Sequence, residues 1–307
     1  MDTFLQQIIN GLTLGSIYAL VALGYTMVYG ILGLINFAHG EVVMIGALTA
    51  LAVIKPLAGA GLPGPLAVLA GAAVAILVCM ALGFAIERIA YRPLRHAPRL
   101  APLITAIGVS MVLQQLAMII WGRNYHSFPA LLPATPRELG GAQITDLQIM
   151  IVVVAILMMA GLVLLVNRTR LGRAMRATAE NPEIAGLMGV DVNHIIALTF
   201  VIGSALAAVA GVMVSANYGI AHYNMGFILG LKAFTAAVLG GIGNLTGAML
   251  GGILLGLIEA LGAGYIGELT GGFLGSDYQD VFAFFVLIMV LIFRPSGLMG
   301  EKVSERA

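Results

Sequence analysis

Nine long apolar stretches, separated by short polar or Gly- and Pro-containing segments, run through this chain. The hydrocarbon core of a bilayer is about 30 Å thick, so a helix needs about 20 apolar residues to cross it. Only 9% of the residues are charged, against about 25% in an average soluble domain. The sequence therefore predicts an all-α, polytopic integral membrane protein. The candidate spans are residues 5–29, 41–54, 65–86, 101–120, 147–167, 195–215, 227–242, 246–264 and 280–293.

Two regions admit more than one path through the membrane. Residues 31–41 (ILGLINFAHGE) fit a helix break inside the membrane as well as a loop. Residues 227–264 fit two spans, or one span and a re-entrant hairpin that turns at 240–244. A broken helix is tolerated at membrane depth only where protein or water surrounds its backbone. We expect eight or nine transmembrane helices, with one or more broken or re-entrant segments, in one transmembrane domain over 1–307.

The basic residues indicate how the chain is oriented. Loops rich in Lys and Arg usually face the cytoplasm. Most of the Lys and Arg residues lie in 88–99, in 168–194 and in the C-terminal tail, so these segments are predicted to be cytoplasmic. The loop 122–146 is then external. Nine spans would place the N-terminus outside, and eight would place it inside.

Residues 168–194 are the longest polar interruption and contain the signals of a very short helix. Asn181 can cap such a helix, Pro182 suits its first position, and Gly189 can end it in a left-handed conformation. A helix of two turns is not stable alone in water, so it must lie on another surface. That surface would be either another protein at the cytoplasmic face or the lipid headgroups. The residues that form its apolar stripe are Ile184, Leu187 and Met188.

Five polar side chains interrupt apolar stretches. A charge inside a bilayer costs at least about 2.5–3.5 kcal/mol, so such groups are usually paired or functional. Asn36, His39 and Glu41 would form either a kink that lines or gates a pathway through the membrane, or an interhelical hydrogen-bond cluster. Lys232 and Glu259 would pair across a helical hairpin, or one of the two would face the charged termini of a substrate.

A glycine-rich segment, 240–252, contains Gly243, Gly247 and Gly251 at intervals of four residues. Small residues at this spacing let transmembrane helices approach closely. We predict that these three glycines pack helices together. A hinge, or a backbone that approaches the substrate, is the alternative.

Several kinds of chemical site are missing from the sequence. No GxxxxGK[ST] phosphate loop occurs, so the chain cannot bind ATP in that way by itself. The His39-Gly40-Glu41 triplet lacks the cysteine-containing half of the zinc deaminase signature. No HExxH or GxSxG motif and no basic, aromatic-rich patch for nucleic acid is present. We expect no enzyme activity, metal, cofactor or nucleic acid.

The segment 180–189 (ENPEIAGLMG) resembles the E-A-A-x-x-x-G cytoplasmic loop of ABC importer permeases. Glu183, Ala185 and Gly189 match that pattern, Ile184 replaces its middle Ala, and its hydrophobic-Leu-Pro part is not recognisable. Residues 10–41 and 232–260 closely resemble the LivH-type permeases of branched-chain amino acid ABC importers, in the binding-protein-dependent transport permease family. In that superfamily the loop forms a coupling helix that docks on an ATPase subunit. The coupling residues implied here are Arg173, Arg176, Glu180, Glu183, Ile184, Ala185, Gly186, Leu187, Met188 and Gly189.

The resemblance implies a heteromeric importer in the bacterial inner membrane. Its other parts would be a LivM-type permease, two cytoplasmic ATPase subunits and a periplasmic binding protein. Branched-chain amino acids are the expected substrates, although related permeases carry urea, amides or other amino acids. An ion-driven secondary transporter is the alternative, with a relay of His39, Glu41, Lys232 and Glu259, but no span carries a ladder of carboxylates.

Overall fold

The computed structural model describes residues 2–95, 97–98, 100–133, 135–271, 273 and 278–300. The side chains of residues 2, 268, 269 and 279 are outside the description, as are the basic residues Arg99, Lys302 and Arg306. The first five helices are α1 (Asp2–Leu32), α2 (His39–Gly59), α3 (Gly64–Ile86), α4 (Leu100–Trp121) and α5 (Asp146–Arg168). The others are α6 (Arg170–Glu180), α7 (Pro182–Leu187), α8 (Val192–Tyr218), α9 (Met225–Gly240), α10 (Leu245–Leu269) and α11 (Gln279–Phe293). The short strands are β1 (His126–Ser127), β2 (Pro136–Leu139), β3 (Ala142–Thr145) and β4 (Ile220–Ala221).

Seven helices in the described part are long and apolar enough to cross a membrane: α1, α2, α3, α4, α5, α8 and α10. The helices α9 and α11 are apolar but shorter. The chain is thus an all-α multi-pass membrane protein, as predicted from its apolar stretches. The outer helices α3, α4 and α5 expose large apolar side chains such as Leu77, Ile104 and Leu157, which suits contact with lipid.

The bundle has two ends, and α5 runs from one to the other. At the first end β1 pairs with β4 and β2 pairs with β3, both antiparallel. The Gln6 side chain of α1 donates to the carbonyl of Gln143 there, at 3.0 Å. At the second end lie α6 and α7, and the amide of Met299 donates to the carbonyl of Gly240, at 2.9 Å. The loop 122–146 and the segment 168–194 therefore lie at opposite ends.

The helices α1 and α10 form the antiparallel centre of the bundle. Residues Leu20 to Leu23 of α1 are fully buried. A Cβ at Gly252 would overlap the backbone of Ala19, so only glycine permits this approach of α10 to α1. Between α10 and α9, a Cβ at Gly247 or Gly251 would likewise overlap backbone atoms of α9.

Gly243 does not share this packing role. It lies in the turn between α9 and α10 with φ of +96°, and a Cβ there would meet only the ring of Tyr29, at 3.8 Å. The prediction that Gly243 packs two helices is therefore wrong, since the helical spacing of four residues starts only at Gly247. A positive φ is what requires glycine at this position.

The predicted interruption at 31–41 is a break between α1 and α2. Gly33 ends α1 with φ of +62°, and residues 34–38 are neither helix nor strand. The chain then turns back into the bundle. The His39 ring accordingly occupies the space where a Cβ of Gly24 would be. The α2 helix consequently starts beside the interior of α1, with its first residues buried.

Candidate coupling surface and translocation site

The short helix α7 has the ends that its sequence predicts. The amide of Ile184 donates to Asn181 Oδ1 at 3.0 Å, so Asn181 is the N-cap. Pro182 occupies the first helical position, where no amide hydrogen is needed. Gly189 has φ of +87° and ends the turn. These local signals are sufficient to start and stop six residues of helix.

One face of α7 is apolar and uncovered. The side chains of Ile184, Leu187 and Met188 are 57%, 87% and 81% exposed. Ala185 is 4% exposed and packs inward, whereas a Cβ at Gly186 would meet no atom within 4 Å. A surface of this kind at the polar end of a membrane protein marks a protein or membrane contact.

The charged residues predicted for coupling fall into two groups. Arg173, Glu180 and Glu183 are exposed: Arg173 lies near the start of α6, and Glu180 and Glu183 lie next to the N-cap of α7. The guanidinium of Arg176 instead donates to the carbonyl of Val166 in the last turn of α5. An arginine in this position satisfies a carbonyl that the helix leaves free. Arg176 therefore holds α6 against the end of α5.

Asn36, His39 and Glu41 are all buried at the break. Asn36 Oδ1 accepts hydrogen bonds from the Ala38 amide at 3.2 Å and from the Tyr91 hydroxyl at 3.1 Å. The His39 ring packs edge-on against Tyr25, with 5.0 Å between ring centroids. The break is therefore held by a hydrogen bond to Tyr91, which follows α3, and by ring packing against Tyr25 of α1.

Glu41 connects α2 to two further helices. Its Oε1 accepts from Ser110 Oγ at 3.1 Å and from Gln114 Nε2 at 2.7 Å, both on α4. Its Oε2 faces Gly226 of α9 and has no hydrogen-bond partner among the described residues. These contacts favour the interhelical hydrogen-bond cluster in this conformation, with one carboxylate oxygen left available.

Lys232 and Glu259 pair across the α9–α10 hairpin. Lys232 Nζ lies 2.7 Å from Glu259 Oε1, and the Tyr18 hydroxyl donates to Glu259 Oε2 at 3.0 Å. Asp280 of α11 also lies 2.7 Å from Lys232 Nζ. The sequence reasoning missed Asp280 and Tyr18, although an acidic residue in the first turn of an apolar helix is a signal for such a partner. Among the described residues, no three His, Cys, Asp or Glu side chains come together as a metal site would require.

A cavity of about 250 Å³ opens beside Lys232 at the end of the bundle that carries the strand pairs. Its lining combines the Lys232 ammonium with tyrosine hydroxyls and apolar side chains. The rings of Tyr125 and His222 stack at its rim, with 4.3 Å between centroids. A small molecule with a charged head and an aliphatic tail matches this lining. The lining includes Tyr18, Tyr218, His222, Met225, Leu229 and Lys232.

Comparison with known proteins identifies the family. The family described as "Branched-chain amino acid transport system / permease component" matches residues 7–291. The chain is 52% identical to the high-affinity branched-chain amino acid transport system permease protein BraD of Pseudomonas aeruginosa, over 99% of this chain and 98% of that protein. It is 47% identical to LivH of Escherichia coli (strain K12), over 99% and 97%, and 29% identical to a probable LivH of Methanocaldococcus jannaschii, over 93% and 89%. These matches confirm the resemblance seen in the sequence: the chain belongs to the family of branched-chain amino acid transport permease components.

Proposed function

We propose that this chain is the LivH-type, membrane-spanning subunit of an ATP-driven importer for branched-chain amino acids in a bacterial inner membrane. Its permease relatives are transport components and not enzymes. The observation that carries the proposal is the uncovered apolar face of α7, in a chain without a phosphate loop. The driving force for transport would then come from a protein that binds this face.

The coupling residues would act as one rigid unit with the helices that flank them. Ile184, Leu187 and Met188 would insert into a groove on an ATPase subunit, and Gly186 would allow close approach, whereas the buried Ala185 packs inward and does not lie on this face. Glu180 and Glu183 lie next to the N-cap of α7 and, with the exposed Arg173 of α6, would form the charged rim of this face. Movement of the ATPase subunits would displace α7, and α5 and α8 would carry that displacement into the membrane.

The substrate would enter from the opposite end. A periplasmic binding protein would dock near the loop 122–146 and its strand pairs and release an aliphatic amino acid there. The cavity beside Lys232 offers tyrosine hydroxyl groups for the polar end of an amino acid, and apolar walls for the side chain. Asn36, His39 and Glu41 would form a barrier to the substrate deeper in the bundle. Lys232 and Glu259 would line the outer part of the translocation pathway.

The proposed assembly contains two permease chains, of which this is one and a LivM-type chain is the other. Two cytoplasmic ATPase subunits would occupy the end that carries α7, and the membrane lipids would cover the outer helices. The chain would place its C-terminus in the cytoplasm, because residues 297–300 lie at the same end as α6 and α7.

A single-cysteine experiment tests this orientation. Cys79 is the only cysteine and is buried, so Cys79→Ala gives a clean background. We expect a maleimide reagent that cannot cross membranes to label Arg170→Cys, at the exposed start of α6, only in inside-out vesicles. Tyr125→Cys, at the other end, should be labelled only from outside. The reverse pattern would overturn the orientation.

The function itself is tested by disrupting the α7 face. We expect Leu187→Asp to release the ATPase subunits during purification while the permease remains inserted, because a charge would enter an apolar contact. Leu139→Asp changes an equally apolar, exposed residue of β2 at the opposite end and should retain them. Unchanged co-purification of the Leu187 variant would refute the docking assignment.

The energy source separates this function from an ion-driven transporter. Lys232 and Glu259 neutralise each other in a close pair, which argues against a proton relay through them. Uptake should resist a protonophore when ATP is maintained and should stop with vanadate. Abolition by the protonophore under those conditions would favour the ion-driven transporter.

A further inference from the structure

A second buried charge cluster, which the proposed function does not use, lies at the end of α3. The carboxylate of Glu87 is fully buried and forms ion pairs with Arg92 and Arg95. Arg92 contacts it through two nitrogens, each at 3.2 Å. Glu87 begins a π-helical turn that ends at Tyr91. Such turns are rare and often lie at functional sites.

On one side this cluster reaches the segment that follows the coupling helix. The guanidinium of Arg95 donates to Asn193 Oδ1 as well as to Glu87. Asn193 is in the first turn of α8, which Asp191 caps by accepting from the His194 amide at 3.1 Å. Only three residues separate Asn193 from Gly189, the end of the α7 turn. Asn193, a ligand of Arg95, is thus close along the chain to the end of α7.

On the other side the same turn reaches the break between α1 and α2. The Tyr91 hydroxyl donates to Asn36 Oδ1 at 3.1 Å and lies 3.5 Å from the Ile35 carbonyl oxygen. The Tyr91 ring also packs against Phe200 of α8, with 5.1 Å between centroids. Tyr91 thus contacts both α8 and the irregular backbone that separates the first two membrane helices.

The structure also contains room for this backbone to move. A cavity of about 330 Å³ lies between Arg95 and the break, lined by Tyr29, Leu32, Gly33, Leu34 and Arg95 among others. A close-packed protein interior has no such space, so it transmits a displacement without changing its own shape. An irregular segment beside a cavity can change its position at much lower cost than a packed helix.

We propose that Glu87, Arg95 and Tyr91 are positioning residues that transmit displacement of the coupling helix to the break at 33–38. Asn193 receives the displacement, the Glu87–Arg95 ion pair carries it across to the π-helical turn, and Tyr91 delivers it to Asn36. This inference rests on the proposed docking of α7. It adds a specific internal path, held by charge-assisted hydrogen bonds, from that docking site to the barrier.

The test uses the complete importer reconstituted in proteoliposomes with its ATPase subunits and binding protein. Tyr91→Phe removes only the hydroxyl, and Asn193→Ala removes the exposed ligand of Arg95. We expect each variant to keep its ATPase subunits and ATP hydrolysis, while the amino acid transported per ATP falls at least threefold. The matched controls are His194→Ala, on the same turn of α8, and Arg88→Gln, an exposed arginine on the π-helical turn. Both controls should retain the wild-type ratio.

A double variant distinguishes one path from two independent effects. If the residues act in series, Tyr91→Phe combined with Asn193→Ala should lower the ratio no further than the more severe single variant. A wild-type ratio in both single variants would overturn the internal path and leave docking untouched, since docking is tested separately by Leu187→Asp. Loss of the ATPase subunits from Asn193→Ala would also overturn it, because Asn193 would then belong to the docking surface.

Discussion

Lys232 Nζ lies 2.7 Å from Glu259 Oε1, and this contact joins two helices inside the membrane domain. Asp280 approaches the same ammonium group at 2.7 Å from a third helix, and Tyr18 of α1 donates to Glu259. One cation is therefore shared by two carboxylates where α1, α9, α10 and α11 meet. Each partner of such a cluster depends on the others, because an unpaired charge is costly where water is excluded.

Removal of the cation should be more damaging than removal of one carboxylate. Lys232→Met leaves Glu259 and Asp280 without a counterion, whereas Glu259→Gln keeps Asp280 beside Lys232. Breaking a buried pair by removing one partner costs about 3–5 kcal/mol. We expect Lys232→Met to lower the unfolding temperature of the detergent-purified protein more than Glu259→Gln does. Lys55→Met, at an exposed lysine, should have little effect, and equal stability of all three variants would contradict this reading.

The contact between α9 and α10 requires glycine at position 251. A Cβ there would overlap the carbonyl oxygen of Ala236 and crowd the backbone of Gly240. We expect Gly251→Ala to separate these helices and lower the unfolding temperature. Gly161→Ala is the matched control, because a Cβ at Gly161 of α5 meets no atom within 4 Å and alanine favours a helix by about 0.5–1 kcal/mol. Similar behaviour of the two variants would mean that the packing is not close.

The N-cap of α7 should influence docking. Asn181→Ala removes the side chain that accepts from the Ile184 amide, and loss of such a cap costs about 1 kcal/mol of helix stability. If α7 must be helical to dock, the ATPase subunits should bind about fivefold more weakly to the purified permease. Asn181→Ser retains a cap and should bind nearly as the wild type does. Equal affinity of both variants would show that docking does not need the helix.

Glu41→Gln tests whether the break controls transport. The amide oxygen of a glutamine can still accept from Ser110 and Gln114, so the α2–α4 contact and the assembly should survive. The charge beside Gly226 is lost, and we expect slower uptake at an unchanged amount of complex. Glu138→Gln, at an exposed glutamate of β2, is the control. Full uptake in the Glu41 variant would leave this residue only its structural contacts.

Tertiary contacts decided what the buried polar groups do. Asn36, Tyr91 and Phe200 are far apart in the sequence, and no local pattern indicates that they meet. The same holds for Lys232 and Asp280, which α10 separates along the chain. Gly243 shows the opposite error: its spacing suggested helix packing, but the chain turns there. Pairing and packing depend on distances between helices, which periodicity along one helix does not contain.

The sequence by itself determined the all-α membrane architecture, an interruption after α1, the ends of α7 and the family. Each of these depends on local chemistry: apolar length, a capping side chain, a proline without an amide hydrogen, or a glycine with positive φ. Only the tertiary structure decided that Arg176 holds α5, that Asp280 shares Lys232, and that the Glu87 cluster lies between the start of α8 and the break. The physical reason is that burial makes long-range polar pairing necessary, while the packing of the helices selects the partner.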